Sequence, residues 1–127
     1  MNIFLSLLLW LNGLTVIDGG QRCIENKSLM GEYIVGEKVI TTCDENIKVL
    51  KQSKDTVIKH EYIHYIYEKR QIEKTILPPK LLNYLIREYL PSGEVLFVLL
   101  HENDYSNDEE LEARLFAKLP WIVLFFL

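Results

Sequence analysis

His60-Glu61-Tyr62-Ile63-His64 places two imidazoles and a carboxylate within five consecutive residues, a match to the H-E-x-x-H pattern. On an α-helix, residues four apart lie one above the other on the same face. His60 and His64 can then offer two nitrogens to one ion, each at about 2.0–2.1 Å. Glu61 is turned about 100° from His60, so its carboxylate points beside the ion rather than at it. A carboxylate held there can take a proton from a water that the ion has acidified, which is the elementary step of metal-assisted hydrolysis.

That chemistry requires the segment to be helical and the histidines to be shielded. Ser53 or Asp55 is a suitable N-cap, and neither Gly nor Pro interrupts the chain from there to Pro78. Ile58, Tyr62, Tyr65 and Ile66 form an apolar stripe, with His60 and His64 on roughly the opposite side. Val57, Ile63 and Tyr67 extend the apolar character around most of the helix, which predicts burial. Two histidines four apart can arise by chance on any helix. Buried histidines need partners, however, and a metal satisfies two at once.

A catalytic zinc needs a third protein ligand. Asn107 to Ala117 opens on a capping residue and an acidic first turn, which predicts a helix. Asp108, Glu109 and Glu110 read as charges that answer the helix dipole. Glu112 differs, because it sits among Leu111, Ala113, Leu115 and Phe116, and it is the expected third ligand. His101 is the rival ligand, with Glu109 behind it, although His101-Glu102-Asn103-Asp104 reads as a polar surface loop. Tyr105 or His101 could stabilise an oxyanion at the mouth of such a site.

The elements that would position these residues can be read from the rest of the chain. With 127 residues, 49% hydrophobic and 25% charged, the chain is sized for one domain with a usable core. A net charge of -4 and dispersed lysines give no reason to expect nucleic acid. Residues 31–43 read as a β-hairpin, with Tyr33-Ile34-Val35 and Lys38 to Thr42 as strands and Gly36-Glu37 as the turn. An edge strand there could pair with an extended substrate backbone. Ile47 to Gln52 reads as a short connection, and Pro79 or Lys80 starts a helix that reaches Tyr89. Pro91-Ser92-Gly93 breaks it, and the apolar run Glu94 to His101 reads as a buried helix turn or a strand, with helix favoured by its helical neighbours. Trp121 to Leu127 reads as a terminal strand or an exposed end.

Residues 1–17 carry no charged side chain. The run Ile3 to Leu11 is far short of the roughly 20 residues that span a bilayer, and residues 1–19 are either a signal peptide or a buried N-terminal helix. Export to the periplasm or outside the cell is the favoured reading, with a cytoplasmic chain as the alternative. Cys23 and Cys43 are suited to pairing in an exported domain and would be two small buried residues in a reducing cytosol. Neither belongs to a C-x-x-C pair. No membrane association is expected beyond a signal segment, and the chain is expected to be a monomer.

His60-Glu61-Tyr62-Ile63-His64 followed by Glu110-Leu111-Glu112-Ala113-Arg114-Leu115-Phe116-Ala117 resembles the two-helix signature of small gluzincin-type zinc metallopeptidases. It is most similar to ImmA/IrrE-type domains, in which an E-x-E-A-x-x-F-A helix follows H-E-x-x-H. The resemblance implies an α+β, zincin-like domain over residues 20–127, with a small hairpin packed against the H-E-x-x-H helix and further helices. It also implies Zn2+ bound by His60, His64 and Glu112, Glu61 as general base, and a peptide or protein substrate. The alternative is a zincin-fold module that binds a partner without cleaving it.

Overall fold

The computed structural model describes residues 1–101 and 105–127; the Glu102-Asn103-Asp104 part of the expected polar loop lies outside the described residues. The fold is α+β. Helix α1 (Ile3–Leu11) leads into strand β1 (Thr15–Asp18) and the short α2 (Gln21–Glu25), then β2 (Gly31–Ile34) and β3 (Val39–Thr42). Helices α3 (Asp44–Val49), α4 (Lys54–Lys69), α5 (Pro79–Tyr89), α6 (Ser92–Leu100), α7 (Asn107–Ala117) and α8 (Trp121–Leu124) complete it. No helix among the described residues is long and apolar enough to cross a membrane.

The strands form one mixed sheet in the order β1-β3-β2. β2 and β3 are the expected hairpin, antiparallel, with Tyr33 opposite Ile40. Its turn is wider than Gly36-Glu37 alone. Val35 leaves the ladder, Gly36 and Lys38 take positive φ, and Glu68 on α4 accepts the Gly36 amide at 2.8 Å. β1 was not anticipated: Thr15-Val16-Ile17-Asp18 is too short to show a period, and it pairs parallel to β3 with Thr15 opposite Val39. The excursion between β1 and β2 is pinned twice. A Cys23–Cys43 disulfide ties α2 to the end of β3, and the Asn46 amide donates toward the carbonyls of Cys23, Asn26 and Leu29 at 2.9–3.1 Å.

α4 runs through the centre. Ser53 caps it by accepting the Thr56 amide, and Ile58, Tyr62, Ile63 and Ile66 are almost wholly buried. The sheet packs on one flank, contributing Tyr33 and Ile40, and α7 packs on another, contributing Ala113 and Phe116. α5, α6 and α7 share a second cluster built on Leu82, Ile86, Val98 and Leu115. The uncharged run Ile3 to Leu11 forms α1, with Leu5, Leu8 and Leu9 buried against the same core as α4. Trp121 to Leu124 is a helical turn rather than a terminal strand. Pro120 precedes it with an extended φ/ψ, and Leu124 is drawn fully into the core.

Candidate metal centre

The helical reading of the H-E-x-x-H segment places its two imidazoles on one face of α4, and the pairing of α4 with α7 supplies what lies opposite. His60 Nε2 and His64 Nε2 are 3.2 Å apart. The Glu110 carboxylate bridges them, with Oε1 at 2.9 Å from His60 Nε2 and Oε2 at 3.2 Å from His64 Nε2. His64 and Glu110 are buried and His60 is nearly so. Among the described residues, His60, His64 and Glu110 are the one group of three or more such side chains able to hold a metal ion.

The donor set fits zinc. An ion at 2.0–2.1 Å from tetrahedrally placed ligands holds those ligand atoms about 3.3 Å from one another, close to the separations seen here. A cation placed among the two Nε2 atoms and the carboxylate would take a lone pair from all three together. A proton on His60 is the competing solution. Burial opposes that charge, yet the Glu110 hydrogen bond and negative charge outweigh it, and the His60 pKa is raised. Burial likewise opposes ionisation of Glu110, but its bonds to both histidines hold the carboxyl far below the usual range. A metal and a proton would therefore compete for the same nitrogen. His64 Nδ1 is buried without a hydrogen-bond partner among the described residues.

Glu61 lies beside this group, with Oε1 3.9 Å from His60 Nε2. Burial pushes its pKa up, and the two histidines together with a backbone hydrogen bond from Tyr33 pull only partly the other way. Its position depends on how closely β2 approaches α4. At Gly31 a Cβ would sit 2.7 Å from Val57 Cγ1 and 3.0 Å from the Thr41 carbonyl oxygen, so only glycine leaves room for this approach.

The expectation that Glu112 would be the third ligand does not match where the helix puts it. Glu112 is fully buried on another side of α7, where it accepts hydrogen bonds from the Tyr67 hydroxyl at 2.5 Å and from the Ile76 and Leu77 amides at 2.7 and 2.8 Å. Those three donors satisfy the carboxylate and tie the segment before α5 to α7. Glu109, the further acidic alternative, is also not in the group; its amide donates to the capping Ser106 hydroxyl. His101, the rival ligand, follows α6 with its ring stacked on Phe97 at 3.9 Å and Nδ1 2.7 Å from the Phe97 carbonyl oxygen.

Glu110 was set aside as a dipole charge, although its spacing from Arg114 carried a signal. Arg114 Nε lies 3.7 Å from Glu110 Oε1, one turn on, and the same guanidinium bonds Glu94 at 3.3 Å. Tyr105 is brought to the site: its ring stacks on His64 at 3.8 Å, nearly parallel. It also lines a cavity of about 410 Å³ together with Arg22 and residues 32–35 of and beyond β2. Arg22 is ion-paired with Glu32 across this cavity. The cleft therefore lies along β2 and Tyr105, and the Tyr105 ring links it to the His64 imidazole.

No family model matches the chain, and neither a curated protein nor a solved structure matches it.

Proposed function

We propose that this chain is a zinc-dependent peptidase in which His60, His64 and Glu110 hold the ion. The observation that carries the reading is the convergence of both imidazole Nε2 atoms and one buried carboxylate at mutual distances of 2.9–3.2 Å. When bound, zinc supplies Lewis-acid polarisation of a carbonyl and lowers the pKa of water to about 7. The remaining work falls to side chains of the chain itself. Glu61, its pKa raised by burial, accepts the proton of the attacking water and returns it to the leaving amine. Arg114 and Glu94 keep the Glu110 carboxylate turned toward the histidines.

β2 is an edge strand in the sheet order, and the cleft follows its residues 32–35, which suits an extended peptide backbone. Of the two residues considered for the oxyanion, Tyr105 is the better placed, since it lies in that cleft against His64 while His101 is engaged with Phe97. Gluzincin-type architecture, similar to ImmA/IrrE-type domains, accommodates two histidines from one helix and a glutamate from a later one; here that glutamate is the first of the Glu110-Leu111-Glu112 pair rather than the second. Zinc analysis of purified protein followed by digestion of a peptide library tests the reading. The expected result is about one zinc per chain and zinc-dependent cleavage. Folded protein that takes up no zinc would overturn it, and zinc-loaded protein that never cleaves would leave a binding module.

A further inference from the structure

α1 is apolar all round but buries only one side. Leu5, Leu8 and Leu9 enter the core, while Ile3, Leu7, Trp10 and Leu11 face outward at helical spacing, Trp10 being 74% exposed. This exposed stripe does not stop at the helix edge. Phe4 stacks on Trp121 at 3.9 Å, Trp121 meets Phe125 edge-on at 5.5 Å, and Ile122 and Phe126 carry the surface across α8, with Phe126 84% exposed. No charged side chain occurs in residues 1–17 or 119–127, so the two ends of the chain join into one uncharged apolar face.

Cations gather where α1 ends. Lys69 Nζ donates to the Asn12 side chain at 2.9 Å, and Lys38 Nζ lies 3.9 Å from where a Gly13 Cβ would be. These two lysines, with Tyr65, help to line a cavity of about 280 Å³. Glu68 lines the same cavity, where it accepts the Tyr33 hydroxyl and the Gly36 amide. At the far side of the face, Lys59 Nζ donates to the Leu119 carbonyl oxygen at 3.0 Å. Asp55, which accepts the Asn2 amide, is the one carboxylate bonded to the start of α1 among the described residues.

We propose that the α1–α8 face docks on the surface of an anionic lipid bilayer. The apolar stripe would enter the headgroup boundary, Trp10 and Trp121 would sit at its level, and Lys38 and Lys69 would meet lipid phosphates. A run too short to span is long enough to lie in the interface, which departs from the expectation of no membrane association. A second copy of the chain is a poorer occupant, because it would leave the lysine-lined cavity unanswered. Asn12 contacts Tyr62 and Tyr65 on the side of α4 opposite the histidines, so the docked face is turned away from the His60–His64 pair.

Flotation of the full chain with phosphatidylcholine vesicles, and with vesicles containing about 30% phosphatidylglycerol, tests this. Binding should favour the anionic vesicles, weaken with salt and shift tryptophan emission to the blue. Trp10→Glu and Leu11→Glu, at exposed positions, should each lower partitioning about tenfold or more while melting temperature and metal content hold. Lys38→Glu and Lys69→Glu should each cost about fivefold on anionic vesicles only. Failure of wild type to float with anionic vesicles would overturn the proposal. So would a dimer that Trp10→Glu disperses without any vesicle binding, which would give the face to a second copy. Equal flotation of wild type, Trp10→Glu and Leu11→Glu would overturn it as well.

Discussion

Glu110 and Glu112 stand two residues apart on α7 with their carboxylates committed to different neighbours: Glu110 bridges His60 and His64, and Glu112 takes the Tyr67 hydroxyl and two backbone amides. Two residues turn a helix by about 200°, so one helix cannot send both side chains to one point. Glu110 is therefore placed where an ion could be held, and Glu112 where it holds the helix to the segment before α5.

Glu110→Gln should lose zinc, because the amide coordinates poorly, while the fold persists in zinc-free buffer. Glu112→Gln should keep zinc when folded but melt lower, since its amide group faces backbone N–H donors; a loss of about 3 kcal/mol is expected. Elemental analysis beside thermal denaturation separates the two. Zinc loss confined to Glu112→Gln would return the ligand role to Glu112.

Glu61→Gln keeps shape and volume but cannot accept a proton. The variant should bind zinc as wild type does and lose peptide hydrolysis by the roughly 10²–10⁴-fold of a missing general base. Loss of zinc to the same degree as in His60→Ala would show that Glu61 coordinates the ion instead.

Much of the framework was readable because its signals are local. The Ser53 cap and unbroken run of α4, the β-branched strands of the hairpin, and the Pro79 start and Tyr89 end of α5 all follow from neighbours in the chain. Glu112 was rightly read as buried among Leu111, Ala113 and Leu115, but burial alone does not say which partner a carboxylate meets. That depends on the rotation of α7 against α4, a property of packing in which Tyr67, Ile76 and Leu77 take part. Glu110 shows the complementary case: a first-turn acid is usually a dipole charge, and only the approach of another helix brings it against two imidazoles. β1 depends on its parallel partner β3, more than twenty residues on, and is invisible in four residues of sequence.

Acid should weaken the joint between β3, α3 and α4 through Asp44. Burial disfavours its charge, but hydrogen bonds from Lys54 Nζ at 2.8 Å and the Thr42 hydroxyl at 2.7 Å outweigh this and lower its pKa. A depressed carboxyl contributes stability that is fully present above its unfolded pKa, near 3.8, and lost as pH falls through the folded value. The side chain is 38% exposed, so solvent screening limits the contribution to about 1 kcal/mol. Asp44→Asn should therefore lower the melting temperature at neutral pH and leave it nearly unchanged at pH values below the folded pKa. Equal destabilisation at both would assign the effect to packing and not to charge.

Gly31 tests whether the site depends on the closeness of β2 to α4. A methyl group there would stand 2.7 Å from Val57 Cγ1 and 3.0 Å from the Thr41 carbonyl oxygen. Val57 belongs to α4 and Thr41 to β3, so the added carbon is caught between a helix and the strand that β2 must pair with. The strand has to move, at a cost of about 1–3 kcal/mol. The added carbon would also stand 3.6 Å from Glu61 Cγ, so the same displacement reaches the Glu61 side chain. Gly31→Ala should thus melt lower, retain zinc, since His60, His64 and Glu110 all lie on α4 and α7, and lose hydrolysis out of proportion to its folded fraction. Adding Val57→Ala removes the side-chain half of the clash and should restore part of both stability and activity. A Gly31→Ala protein with wild-type melting and wild-type turnover would show that β2 neither presses on α4 nor positions Glu61.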